Sequence, residues 1–73
     1  MESVRARLEW RGGMYEVFSS LEEAKVMVRR VFPRAAALPW ETTEDGNYRQ
    51  LNFLEQPGDK GQPVARILIP LTE

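Results

Sequence analysis

The chain has 73 residues, no cysteine and no histidine, with ten basic and eleven acidic side chains and a formal charge of −1. This length is near the lower limit for one hydrophobic core without a metal or a disulfide, so we expect a single domain, residues 1–73. The missing thiol and imidazole groups exclude disulfides, cysteine nucleophiles and histidine bases, and they remove the two usual zinc ligands. We therefore expect no cofactor and no metal.

The charge is unevenly distributed along the chain. Residues 1–40 carry seven Lys or Arg against five acids, a charge of +2, whereas residues 41–73 carry three against six, a charge of −3. Nucleic-acid-binding domains usually have a dominant basic face, so this balance argues mildly against DNA or RNA as the main partner. No apolar run approaches the roughly 20 residues of a membrane span, and the N-terminus lacks an apolar signal segment, so we expect a cytoplasmic protein.

The first predicted element is a β-hairpin. Between residues 4 and 10, apolar side chains alternate with polar ones, which is the period of a strand with one face on the core: Val4, Ala6, Leu8 and Trp10. Gly12 and Gly13 can adopt the positive φ angles of a tight turn, and residues 14–18 return as the second strand. The glycine pair favours a turn over a phosphate-binding loop, because the P-loop spacing and a following helix are both missing.

Residues 20–32 have the pattern of an amphipathic helix. Ser20 and Glu23 have the spacing of a capping box, in which each side chain bonds the backbone N–H of the other residue. Pro33 disfavours helical geometry in the residue before it, so the helix ends there. Apolar residues recur at helical spacing and predict a stripe that packs on a sheet: Leu21, Ala24, Met27, Val28, Val31 and Phe32.

The rest of the chain predicts two more strands. Residues 33–46 form the longest irregular segment, with one extra helical turn predicted at residues 35–38. Residues 47–55 and 64–71 have the pattern of strands, and the last is apolar on both faces, which is typical of a central strand or of a strand at a contact surface.

These elements predict an α+β domain, a two-layer β-β-α-β-β sandwich with a four-stranded sheet and one helix packed on one face. We expect the last strand to lie beside the first, parallel and central as in β-grasp folds, with a fully antiparallel order as the alternative. The other face of the sheet is expected to be open.

Arginines of the first hairpin are the main candidates for a binding surface. Arg5, Arg7 and Arg11 are expected on the face opposite the core, and Arg49 and Arg66 extend this patch if their strands are adjacent. The ordinary interpretation is a solvated sheet face. The functional interpretation is a basic surface for an acidic protein segment or a phosphate backbone.

Trp10, at a strand end, and Trp40, in the long loop, are candidate apolar anchors. Core packing is the commoner role for such residues, but Trp is enriched among binding hot spots and its N–H needs a partner. The acidic residues Glu41, Glu44 and Asp45 lack the spacing of a calcium loop, so we interpret them as a solvated turn.

In length, in the absence of Cys and His, and in its hairpin-helix-strand plan, the whole chain resembles the very small phage-encoded inhibitors of bacterial RNA polymerase, such as those of lytic Xanthomonas phages. No short motif carries this resemblance. It implies a non-enzymatic regulator in the host bacterial cytoplasm. The implied partners are the N-terminal segment of the largest polymerase subunit and the flap of the second subunit. Displacement of the sigma factor would inhibit initiation and promote antitermination.

The expected partner-binding residues come from the surface argument alone: Arg5, Arg7, Trp10, Arg11 and Trp40. We expect a monomer that contacts nucleic acid only indirectly. The main alternative is a small nucleic-acid-binding module that uses the arginine face with Tyr15 and Tyr48 as stacking platforms. A further alternative is a homodimer formed through Val64 and Leu68.

Overall fold

The computed structural model describes residues 5–71, which form one helix and six short strands. In chain order these are β1 (Ala6–Trp10), β2 (Tyr15–Phe18), α1 (Leu21–Val31), β3 (Ala36–Ala37), β4 (Glu41–Thr42), β5 (Tyr48–Leu54) and β6 (Ala65–Pro70). The strands form one antiparallel sheet in the order β2-β1-β6-β5-β3, and β4 pairs with β5 as well.

The predicted four-stranded β-β-α-β-β sheet is wrong, although the α+β class holds. Ala36–Ala37 form β3 and not a helical turn, and both β3 and β4 pair with β5. Pro39 lies between β3 and β4 and has no backbone N–H to donate. The pairing of this segment with β5 is therefore interrupted and forms two strands of two residues each. Such short strands have no detectable periodicity, and their pairing is decided by the free backbone groups of β5.

The last strand lies between β1 and β5 at the centre of the sheet, but it runs antiparallel to β1, so the predicted parallel direction is wrong. Leu8 lies opposite Ile67, and Ile67 in turn lies opposite Leu51. The segment with α1 returns the chain so that β5 runs in the direction of β1. The loop after β5 contains no crossover helix, so β6 is antiparallel to β5, and it is therefore antiparallel to β1 as well.

The first hairpin forms as predicted within the described residues, while Val4 lies outside them. Gly12 and Gly13 have φ angles of 109° and 105°, which side chains with a Cβ rarely adopt. The N–H of Trp10 donates to the carbonyl of Met14 at 2.8 Å and closes the turn.

The helix begins after Ser20, whose hydroxyl oxygen accepts a hydrogen bond from the N–H of Glu23 at 3.2 Å, as predicted. The carboxylate of Glu23 accepts a hydrogen bond from the Ser19 hydroxyl at 3.0 Å. The capping box predicted the N–H of Ser20 as the donor to this carboxylate. The helix ends at Val31, and Pro33 follows the capping residue.

The core lies between α1 and the sheet. The helix packs over β1, β2 and β6 and leaves β5 to one side. Ala24 and Val28 are buried, whereas Val31, predicted to lie in the apolar stripe, is 53% exposed. The largest fully buried side chains come from both layers, the helix and three strands of the sheet: Leu8, Val28, Phe53 and Ile67.

Candidate interaction surface

The face of the sheet opposite α1 is the first candidate site. In an antiparallel sheet, residues directly opposite each other share a face. Glu9 lies opposite Tyr15 and Arg66, and the same register brings residues of four strands together on this side. We call this surface the open face, and it comprises Arg7, Glu9, Tyr15, Val17, Gln50, Asn52, Arg66 and Leu68.

A chain of polar contacts crosses the open face. The carboxylate of Glu9 forms a salt bridge with the Nε of Arg7 at 3.0 Å and accepts a hydrogen bond from the Nε of Arg66 at 2.8 Å. Arg66 also reaches the Oε1 of Gln50 at 3.5 Å, and the amide of Gln50 donates to Glu41 at 3.2 Å. These contacts place both arginines in defined positions, so less side-chain freedom is lost when a partner binds.

An apolar residue lies within this polar surface. Leu68 is only 8% exposed, at the floor of a depression that Arg7, Arg66 and Tyr48 border. Glu41, Glu44 and Asp45 line the same depression. The surface therefore combines basic groups, acidic groups and an apolar floor, a mixture that is common in protein interfaces.

The edge of the sheet at β2 adds exposed apolar side chains to the open face. Val17 is 56% exposed and Tyr15 is 55% exposed, and the preceding Met14 is 77% exposed. The guanidinium carbon of Arg7 lies 4.0 Å from the centre of the Tyr15 ring. Among the described strands, β2 pairs with β1 alone, so its second edge is free to receive another strand.

The three arginines of the first hairpin are exposed, but their surroundings differ. Arg7 lies in the centre of the open face. Arg5 immediately precedes β1, and Arg11 lies in the turn after it, where its guanidinium donates to the carbonyl of Gln62 at 3.2 Å. Arg66 and Arg7 both form salt bridges with Glu9. Arg66 therefore extends the arginine patch, as expected if its strand is adjacent to the first.

The two tryptophans lie on the helix side of the sheet. Trp10 is half-buried against the core, with its ring centroid 6.3 Å from that of Phe32. Trp40 also packs against the core, and Arg49 lies over its ring at 4.5 Å. The register places Arg49 opposite Ile69 on this same side. The structure thus separates the predicted anchors Trp10 and Trp40, with Arg49, from Arg7 by the thickness of the sheet.

The acidic segment before β5 is an ordered turn. One carboxylate oxygen of Asp45 accepts hydrogen bonds from the N–H of Asn47 at 2.9 Å and from the Thr43 hydroxyl at 2.7 Å. These bonds favour the ionised form and lower the pKa of Asp45 below its usual 3.8, with the Asn47 N–H as the largest cause. Residues 5–71 contain no group of three side chains arranged to hold a metal ion.

The residues on which the dimer and nucleic-acid-binding alternatives depend differ in their exposure. Val64 is 3% exposed and Leu68 is 8% exposed, so neither offers the exposed apolar patch that the dimer alternative requires. Tyr15 and Tyr48 are both exposed on the open face side of their strands.

Sequence reasoning missed two residues that organise the open face. The alternation of the first strand indicates only that Glu9 is one of its polar residues, and no sequence pattern gives Gln50 a role. Both residues contact Arg66, which lies 57 positions after Glu9 and 16 positions after Gln50 in the sequence. The alternation in each strand shows on which face of the sheet a side chain lies. The residue that it contacts on a neighbouring strand depends on the strand order, which the sequence does not determine.

Comparison with protein-family models, with curated proteins and with solved structures finds no match to this chain. In the part of the chain that the structure describes, no helix has the length and apolar character needed to cross a membrane.

Proposed function

We propose that this protein is a non-enzymatic regulator that binds another protein through its open face. The observation that carries the proposal is the ordered contact chain from Arg7 through Glu9 and Arg66 to Gln50, beside the exposed edge strand β2. A partner strand can pair with the free edge of β2, while Arg7 and Tyr15 contact its side chains. This mode of binding requires no cofactor.

The partner that we propose is bacterial RNA polymerase, in the cytoplasm of a bacterial host. The proposal follows from the resemblance of the whole chain to small phage-encoded polymerase inhibitors. The expected contacts are the N-terminal segment of the largest subunit and the flap of the second subunit. Binding there would displace the sigma factor, inhibit initiation and favour antitermination.

A pull-down with the tagged chain tests this proposal. Purified bacterial RNA polymerase core should be retained, and polymerase saturated with sigma factor should release sigma as the chain is added. Recovery of no polymerase subunit from a bacterial lysate or from purified core would reject the polymerase as partner.

Charge reversal of Arg5 and Arg7 to Glu tests the surface. We expect polymerase binding to weaken by about tenfold, because two cations are lost and Glu9 then faces a like charge. The matched control is Arg34→Glu, an exposed position in the turn after α1, which should leave binding within about twofold. Circular dichroism checks that both variants fold. Equal binding by both variants would place the interface elsewhere.

The alternative function, nucleic-acid binding, draws on Arg7, Arg66, Tyr15 and Tyr48 on the same side of the sheet. Glu9 lies between the two arginines, and Glu41 borders the same surface, so the positive potential there is reduced. Fluorescence anisotropy with single-stranded DNA and RNA at low salt decides this alternative. Binding that weakens steeply with salt would favour it over the protein-binding function.

A further inference from the structure

A groove on the helix side of the sheet is distinct from the open face. Because α1 packs over β1, β2 and β6, it leaves a gap above β5. The buried side chains Leu51 and Phe53 form the floor of this gap, and Leu38 and Trp40 form one wall. The other wall is the helix surface that carries Lys25 and Arg29. We call this gap the helix groove.

The helix wall of the groove is basic. Lys25 and Arg29 are four residues apart and therefore share one side of the helix, and Arg30 lies next to them. Glu22 is the acidic residue among the groove-lining side chains, with its carboxylate 3.8 Å from the Lys25 ammonium. Its side chain is 81% exposed, so this pair is weak and leaves the groove with a net positive charge.

The opposite wall presents an aromatic ring in a defined position. Trp40 is half-buried, and the guanidinium carbon of Arg49 lies 4.5 Å from the centre of its ring. This cation–π contact orients the indole and brings a further positive charge to the same side of the sheet. Leu38 lines this wall together with the ring, whereas Val26, which is 56% exposed, lies on the helix. The groove thus combines an apolar surface with cations on its helix wall, and Arg49 lies close by on the Trp40 ring.

We propose that the helix groove binds an acidic protein segment that carries one large apolar side chain. The apolar side chain would pack against Trp40 and Leu38, while carboxylates of the segment pair with Lys25, Arg29 and Arg49. Arginine favours this role because its guanidinium binds a carboxylate in a bidentate geometry. The inference goes beyond the proposed function, since the groove lies on the other side of the sheet and does not depend on the partner of the open face.

An acidic protein segment fits the groove better than a nucleic acid does. The basic wall runs from Lys25 to Arg30, about 8 Å along the helix axis, which allows only a few phosphate contacts. A single indole also offers stacking for one base, whereas single-strand binders stack successive bases.

The probe is a fluorescein-labelled peptide of aspartate and glutamate residues with one central leucine, titrated with the full chain in fluorescence anisotropy. We expect saturable binding that weakens by about tenfold or more in the variant Arg29→Glu. The control variant Arg34→Glu, exposed and outside the groove, should bind within about twofold of the native chain. In proton–nitrogen correlation spectra, the indole signal of Trp40 should shift on peptide addition while that of Trp10 does not.

Three outcomes would overturn the inference. One is equal affinity for a peptide in which every acid is replaced by its amide. Another is tighter binding to a length-matched single-stranded oligonucleotide than to the acidic peptide. The last is unchanged peptide affinity in Arg29→Glu when its circular dichroism spectrum is native. Because Arg29 is exposed, this substitution leaves the core intact, and Lys25→Glu supplies a second variant with the same expected loss.

Discussion

Glu9 shows how one side chain organises a surface. Its carboxylate forms salt bridges with Arg7 and Arg66, on neighbouring strands, at 3.0 Å and 2.8 Å. Without this carboxylate, two guanidinium groups would lie on adjacent strands with no shared counter-charge, and like charges at such positions destabilise a sheet. The Glu9 side chain is 22% exposed, so its ion pairs are less screened than those of a fully exposed residue.

We therefore expect Glu9→Gln to lower the free energy of unfolding by about 1 kcal/mol, measured by urea denaturation. The matched control is Glu16→Gln, on the neighbouring strand and opposite Leu8. Glu16 is exposed and makes no salt bridge to any described residue, so its replacement should change the free energy by less than about 0.5 kcal/mol. An equal loss in both variants would contradict the role of Glu9.

The Asp45 turn gives a prediction for pH dependence. The pKa of Asp45 is lowered in the folded state, so its ionised form stabilises the fold above the unfolded carboxyl pKa. This stabilisation is lost as the pH falls through the lower, folded-state pKa. A carboxyl titration by nuclear magnetic resonance should place the Asp45 pKa below 3.8.

Replacing Thr43 by Val removes the hydroxyl that donates to Asp45 at 2.7 Å. The Asp45 pKa should then rise toward 3.8, while the Asn47 N–H keeps part of the shift. Thr42→Val is the control, because Thr42 pairs with Arg49 in the sheet and should leave the titration unchanged. A rise of the same size in both variants would contradict this assignment.

At the scale of elements, the helix and the first hairpin could be predicted because their signals are local. The Ser20 cap, the double glycine turn and the alternation around Leu8 all act within a few residues. The two short strands β3 and β4 could not, because they exist only where β5 offers an edge for pairing. The direction of β6 likewise depends on how the segment with α1 returns the chain.

The helix packing predicts a contrast between two valines of α1. Val28 is fully buried against the sheet, so Val28→Ala should cost about 2 kcal/mol of unfolding free energy. Val26 is on the opposite surface and 56% exposed, so Val26→Ala should change stability by less than about 0.5 kcal/mol. Thermal denaturation measures both, and a lower melting temperature for the Val26 variant than for the Val28 variant would contradict the packing.

At the scale of the whole molecule, the sheet separates two surfaces of different charge. The helix groove carries Lys25 and Arg29 on one side of the sheet, with Arg49 on the Trp40 ring nearby, and the open face carries arginines and acids on the other side. The candidate residues predicted from the sequence are divided between these sides, since Arg7 belongs to the open face and Trp40 to the groove. The sheet thus provides the molecule with two chemically distinct faces for recognition.

The amino-acid sequence by itself determined the α+β class, the hairpin, the helix with its cap, and the presence of arginines and tryptophans for binding. Periodicity, turn residues and capping act over short distances, so they can be read along the chain. The tertiary structure alone decided the six-strand order, the direction of β6, and which charged residues meet. Contacts such as Glu9 with Arg66, 57 positions apart, depend on which strands become neighbours, and that follows from how the whole core packs.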